Sequence, residues 1–149
     1  MKLYADNKKA RFDYEIIETY EAGLVLSGNE VKSIRNGNIS LKGGFITFHN
    51  QDAFLTNVHI PRYKYAGNLL NYDPERSRKL LLKKKEISYL RGKSQEKGLT
   101  IVPLTIYNKG RHIKIEIAVV KGKKKYDKRE SIKKREVNRE LQRKMKSTI

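Results

Sequence analysis

The sequence predicts a mainly β fold: a small antiparallel barrel with two or three short helices between its strands, followed by a basic tail. Three observations carry this. Runs rich in β-branched and aromatic residues recur through the first 120 positions, separated by Gly-, Asn- and Asp-containing turns. The last two runs form a hairpin, Leu99 to Tyr107 and His112 to Val120, around Asn108-Lys109-Gly110-Arg111. After the hairpin the alternation stops and charge takes over. Residues 121–149 hold 13 basic and 4 acidic side chains (+9), while the first 120 hold 21 and 12 (also +9), so a fifth of the chain carries half of the excess.

The first dozen residues are polar and basic, with Lys8, Lys9 and Arg11 close together. A strand begins at Tyr14 and runs to Glu21. Ala22-Gly23 interrupts it before Leu24-Val25-Leu26, and the glycine predicts a bulge or bend at a barrel corner. Ser27-Gly28-Asn29 caps a short helix, Glu30 to Arg35, with Val31 and Ile34 facing one way and Asn36-Gly37 as its stop. Residues 39–42, 45–48 and 54–59 read as three more strands, punctuated by Gly43-Gly44 and by a hairpin turn at Asn50-Gln51-Asp52. Pro61 ends that sheet segment, and residues 63–74 read as a surface loop. In Arg76-Ser77-Arg78-Lys79-Leu80-Leu81-Leu82-Lys83-Lys84-Lys85 an apolar centre lies among cations, and its middle reads as a buried strand or a helix start. Residues 84–97 read as a helix with Ile87 and Leu90 inward and Gly98 as its stop, weakened by about 1 kcal/mol at Gly92.

In the closing hairpin Ile113, Ile115, Ile117 and Val119 line one face, while Lys114 and Glu116 sit on the other. Pro103 confines its strand to an edge or a bulge. Six or more antiparallel strands with interspersed helices fit a partly open barrel of the oligonucleotide-binding (OB) type. The expected organisation is a barrel over residues 1–120 and a tail over 121–149. In the tail Ile132, Val137, Leu141 and Met145 form a narrow stripe of helical spacing amid high charge, which predicts disorder when free and a helix on a partner.

A net charge of +18 and a pI near 10 call for a polyanionic partner. A membrane is disfavoured, because no apolar run approaches the roughly 18–20 residues needed to span one. Without cysteine there is no disulfide, thiol catalysis or Cys-based zinc site. The start lacks the apolar core of a signal peptide, so a soluble cytoplasmic protein is expected.

Signatures of catalysis are missing. Gly92-Lys93-Ser94 matches the end of a phosphate-binding loop, but Ile87 stands where the motif requires glycine. His49, His59 and His112 lack metal-ligand spacing and suit strand ends or the surface. Glu15, Glu18 and Glu21 lie three apart, which on a regular strand alternates their faces and keeps Glu18 from joining both others. No enzyme, cofactor or metal is expected. Nucleic-acid signatures are present instead: the cations of residues 76–85 without an intervening acid, and Tyr63, Tyr65 and Tyr72 just upstream. Guanidinium groups pair with phosphates and tyrosine rings stack on unpaired bases, although any one ring is as well explained as a core edge.

Six blocks in order resemble the SsrA-binding protein (SmpB) family. They are Asn7-Lys8-Lys9-Ala10-Arg11, Tyr20-Glu21-Ala22-Gly23-Leu24-Val25-Leu26, Glu30-Val31-Lys32-Ser33-Ile34-Arg35, Asp73-Pro74-Glu75-Arg76-Ser77-Arg78-Lys79-Leu80-Leu81-Leu82, Gln95-Glu96-Lys97-Gly98-Leu99-Thr100 and Lys121-Gly122-Lys123-Lys124-Lys125-Tyr126-Asp127-Lys128-Arg129-Glu130. The resemblance implies an OB-type barrel that binds the tRNA-like domain of transfer-messenger RNA (tmRNA). It implies delivery of that RNA to stalled ribosomes for rescue by trans-translation, the protein standing in for the missing anticodon arm. One monomer per RNA is expected. The tail would enter the empty small-subunit decoding centre and mRNA channel as a helix.

The family's RNA-binding positions map onto Asn7, Lys8, Arg11, Glu21, Arg35, Leu81 and Lys114, with Arg76 and Arg78 as neighbours. Leu81 reads as a packing residue beneath that surface, and the Glu21 carboxylate as an acceptor for base amino groups or 2′-hydroxyls. Gly122, Lys124, Tyr126, Asp127, Lys128 and Arg129 correspond to the ribosome-facing segment. Tyr126 and Phe12 stand where many members carry histidine; a tyrosine still stacks, but neither can act as a protonated imidazole. A generic single-strand or ribosomal-protein-like OB binder is the alternative.

Overall fold

A computed structural model describes residues 2–65, 72–123 and 139 of the chain. Seven strands form one antiparallel sheet in the order β1-β6-β7-β2-β5-β4-β3. In chain order they are β1 (Leu3–Asp6), α1 (Lys8–Asp13), β2 (Tyr14–Leu24), α2 (Gly28–Arg35), β3 (Phe45–His49), β4 (Asp52–Thr56), β5 (Arg78–Leu81), α3 (Lys84–Ser94), β6 (Leu99–Lys109) and β7 (His112–Gly122). The sheet curls until β3 lies against β6 without pairing to it, so the barrel is open along that seam. This is the mainly β, OB-type architecture the sequence predicts.

Alternation along the strands sorts side chains into two layers. Ile113, Ile115, Ile117 and Val119 join Leu55, Leu80 and Ile101 inside the barrel, with Ile34 of α2 and Leu90 of α3 plugging it. Each such side chain, fully removed from water, contributes about 1.5–3 kcal/mol. Val102, Leu104, Ala118 and Val120 face the other way and are covered by Ala10 of α1 and by Tyr14. The β6–β7 hairpin closes through Gly110-Arg111, with Gly110 at φ +62° and Lys109 paired to His112.

α2 begins with a reciprocal cap: the Glu30 N–H donates to Ser27 Oγ (3.2 Å) and the Ser27 N–H donates to Glu30 Oε1 (2.9 Å). It ends at Arg35, with Asn36 as its cap and Gly37 following at φ +80°.

Several local expectations need correction. β1 and α1 occupy the dozen residues read as merely polar and basic. Residues 39–42 form no strand; Ser40 makes one bridge to His59, because the Leu41 carbonyl instead accepts from Gly44 N–H and Asn7 Nδ2. β4 stops at Thr56, since Asn57 turns to φ +59° and its amide donates to the Gly43 carbonyl. α3 ends at Ser94 with Gln95 as its cap, three residues short of the expected Lys97.

Gly23 is not a bulge. It stays paired to Lys114 on β7 and Leu81 on β5 at once, the point where β2 passes from one neighbour to the other. A Cβ there would meet Leu81 Cβ at 3.2 Å, so glycine lets that leucine lie over the strand. The bulge falls instead between Ile16 and Glu18, and it changes the carboxylate geometry. Glu15 pairs with Lys121 and Glu18 with Val119, which places those two acids on one face and Glu21, opposite Glu116, on the other. Pro103 does sit at a bulge, where β6 shifts register between Pro103 and Thr105. β7 continues to Gly122 and the Lys123 N–H donates to the Asp13 carbonyl, slightly beyond the expected end of the barrel.

Candidate nucleic-acid interface

The surface of interest is the outer face of β2, β7 and β6 with the strand and helix that flank it. Lys114 and Glu116 alternate with the core isoleucines of β7 and so point outward. Glu21 is paired to Glu116, and Gly23 to Lys114, which puts the predicted β2 position on the same face. Leu81 enters beside Gly23 and is 56% exposed, so it is a surface residue and not the packing residue expected beneath it. Arg35, in the last turn of α2, reaches the hairpin tip, where its Nη2 donates to the Arg111 carbonyl at 3.4 Å. These segments enclose a groove of about 220 Å³ whose apolar floor is Leu24, Leu26 and Leu81, and whose rim is Arg35, Arg111, His112 and Lys114.

Next to this groove lies a network of paired charges. Tyr107 Oη donates to Glu21 Oε2, and Lys109 Nζ lies 3.0 Å from Glu21 Oε1. Those two partners hold the Glu21 carboxyl below the usual carboxylate range, Tyr107 contributing more than Lys109. Burial and the same carboxylate push the Tyr107 phenol far up. Arg11, in the last turn of α1, contacts Asp6 Oδ1 at 3.1 Å and Glu116 Oε1 at 3.9 Å. Lys8 is exposed at the start of α1. The face therefore presents cations whose acids are already engaged, together with exposed apolar surface. Phosphates suit the first and riboses or base edges the second.

Two predicted positions sit elsewhere. Asn7 is 4% exposed and serves as the N-cap of α1. Its Oδ1 accepts from the Ala10 N–H (3.1 Å), and its Nδ2 donates to the carbonyls of Pro103 (2.8 Å) and Leu41 (3.3 Å). It ties α1, the helix that carries Lys8 and Arg11, to β6.

Arg78 is fully buried: Nε lies 2.6 Å from Glu30 Oε2, Nη1 donates to the Val58 carbonyl (2.6 Å) and Nη2 to the Pro74 carbonyl (2.8 Å). Burial would raise the Glu30 carboxyl, but the Ser27 N–H and the Arg78 and Arg76 guanidinium groups outweigh it and hold the pKa below its ordinary value. Arg76 shares Glu30 but keeps 45% of its side chain in solvent. The cation run thus divides, with Arg78 bracing the interior while Arg76 and Lys79 remain outside.

Tyr72 is likewise structural, its hydroxyl donating to the Ile60 carbonyl at 2.7 Å, whereas Tyr65 is 72% exposed. Across the molecule, Glu18 accepts from Tyr20 (2.8 Å) and Tyr89 (2.7 Å), which fastens α3 to β2; burial, and after it the bond to Glu18, raises the Tyr20 phenol to about 12. His49, His59 and His112 are exposed. Among the described residues no group of three or more His, Asp or Glu could hold a metal, and no helix is long and apolar enough to cross a membrane.

Sequence reading missed Arg111, His112, Tyr107 and Lys109. The signal was there for His112, which lies two residues before Lys114 on the same face of β7. It was absent for the others, which depend on how the hairpin tip meets α2 and Glu21. Gly122 ends β7, whereas Lys124, Tyr126, Asp127, Lys128 and Arg129, with the expected tail helix, lie outside the described residues.

The profile of the family described as SmpB protein matches residues 4–147. The SsrA-binding protein of Enterococcus faecalis is 55% identical over 146 residues, covering 98% of this chain and 94% of that one. The SsrA-binding protein of Thermosipho africanus is 57% identical over 142 residues, 95% of each chain. A solved structure described as "tmRNA-SmpB: a journey to the center of the bacterial ribosome" superposes with a TM-score of 0.69 at 43% identity, covering 89% of this chain and 95% of that one.

Proposed function

This chain belongs to the SmpB family, and from that premise we propose that it binds the tRNA-like domain of tmRNA and delivers it to stalled ribosomes in trans-translation. It is an RNA-binding adaptor without chemistry of its own, acting in the cytoplasm as one copy per RNA. The observation that supports this most directly is the convergence of Arg35, Leu81 and Lys114, from three distant segments, on one groove beside Glu21 and Arg11. Cations paired with phosphates give affinity, and a shaped apolar floor gives selectivity for one RNA surface. The barrel takes the place of the anticodon arm. The tail, from Lys124 onward, reaches the small-subunit decoding centre and mRNA channel.

The test is competition. The purified protein is titrated with the tRNA-like domain against ordinary tRNA and a single strand of equal length, at two salt concentrations. A preference for the tRNA-like domain that survives the higher salt supports a shape-reading adaptor. Equal competition that collapses with salt, at a log–log slope of about −0.7 per phosphate on single strands, identifies a generic OB binder. A chain ending at Lys123 is expected to bind the RNA nearly normally and to fail in peptide tagging.

A further inference from the structure

On the outer side of β3, β4 and β5 the sheet carries a second surface that the groove does not use. Ile46, Ala53, Leu55 and Leu80 point into the core, so their neighbours face out. Phe54 is the centre of that layer, paired to Thr47 on β3 and Lys79 on β5. His49 packs against it with ring centroids 5.8 Å apart and planes tilted by 51°. The Lys79 carbonyl accepts from the Val25 N–H, and Val25 is 44% exposed. The solvent side of an antiparallel sheet is ordinarily polar. Here it holds an aromatic pair, a valine and, one step on, the exposed Leu81.

We propose that this face, centred on Phe54 with His49, Val25 and Lys79, is a stacking platform for unpaired nucleotides of the bound RNA. The proposal rests on the RNA-binding reading above and extends it. The occupant follows from continuity and charge. Lys79 and Leu81 stand two apart on β5 and share a face, so the platform runs without a break into the groove rimmed by Arg35 and Lys114. An RNA held there would reach Phe54 by following β5 from Leu81 to Lys79, which is paired to Phe54. Rings and aliphatic side chains accept the faces of bases and riboses, while Lys79, 47% exposed and only 3.6 Å from Asp52, can exchange that carboxylate for a phosphate. A protein partner or a second copy would cover the same apolar area, and the experiment separates these.

Phe54→Leu keeps an apolar side chain and removes the ring; His49→Ala removes the exposed ring that packs on Phe54. Each is measured for tmRNA binding across four salt concentrations, beside the parent and Lys114→Ala. The expected result is a loss of about tenfold for each platform variant, with the salt slope unchanged because stacking releases no counterion. Lys114→Ala should weaken binding and make the slope shallower. Ultraviolet cross-linking of 4-thiouridine-substituted tmRNA to parent protein, followed by peptide mapping, should mark residues 49–54. Affinities within twofold of the parent for both platform variants, or cross-links confined to the groove, would overturn the proposal while leaving the adaptor function standing. Failure of the parent to prefer tmRNA would instead remove the reading on which both rest. Unchanged RNA binding together with a concentration-dependent dimer lost in Phe54→Leu would assign the face to self-association and also overturn the proposal.

Discussion

Replacing Arg78 with methionine tests whether this arginine serves the interior or the RNA. The substitution keeps most of the stem volume and removes the guanidinium donors. Glu30, itself fully buried, then retains only Arg76 and the Ser27 N–H, the Val58 carbonyl loses the Arg78 donor, and the Pro74 carbonyl keeps only the Ile60 N–H. Removing one partner of such a pair costs about 3–5 kcal/mol, because a charge is left buried without compensation. Against a total stability of about 5–15 kcal/mol this is a large fraction. With a urea m-value of about 2 kcal/mol/M, a loss of 4 kcal/mol moves the midpoint down by about 2 M.

Equilibrium urea unfolding, followed by circular dichroism, is the assay. The double variant Glu30→Leu/Arg78→Met should recover much of the loss, since an apolar pair carries no desolvation penalty. A midpoint shift below about 0.5 M would refute the buried-pair argument. So would a folded Arg78→Met protein that has lost RNA affinity tenfold without losing stability.

The same pair sets a pH dependence. Glu30 has its folded pKa depressed below the ordinary 4.5. The unfolded chain therefore takes up its proton first as pH falls. The stabilisation is complete above pH 4.5 and disappears as pH drops through the folded value, and in Glu30→Gln this part of the acid limb should be absent.

Asn7→Ala should cost about 2 kcal/mol in the same urea assay, since it removes a helix cap and the amide that donates to the Pro103 carbonyl. Its RNA affinity should fall only as far as α1 loosens. Tyr107→Phe should raise the Glu21 pKa toward its ordinary value, read by NMR titration of the carboxyl carbon, because the tyrosine hydroxyl is the largest of the influences that lower it. Lys114→Ala should weaken tmRNA binding and reduce the magnitude of the salt slope by about 1, the mark of one lost phosphate contact. Gly44→Ala should destabilise by about 1–3 kcal/mol, because its new Cβ would lie 2.6 Å from Val58 Cγ2 inside the barrel.

What the sequence by itself determined is what depends on neighbours along the chain. Alternation set the inward faces of β7, and Ser27 with Glu30 set the start of α2. Asn-, Gly- and Asp-containing stretches marked the turns, and the ordered blocks marked the family. These signals are local because side-chain direction in a strand, and capping in a helix, are decided within a few residues.

Tertiary structure decided which cations are free. Arg76 and Arg78 read alike in sequence, yet one remains half in solvent and the other is sealed against Glu30, 48 positions away. Asn7 reads as a polar surface residue and is instead buried, because β6 supplies two carbonyls, that of Leu104 for its backbone N–H and that of Pro103 for its side-chain amide. The bulge after Ile16 reversed the expected relation of Glu15 and Glu18, and only register against β7 reveals it. Leu81 is exposed because the strand beside it offers a glycine for it to lie on. In each case the deciding energy is that of burying or pairing a group against a partner remote in sequence, and no pattern in the residues around it encodes that partner.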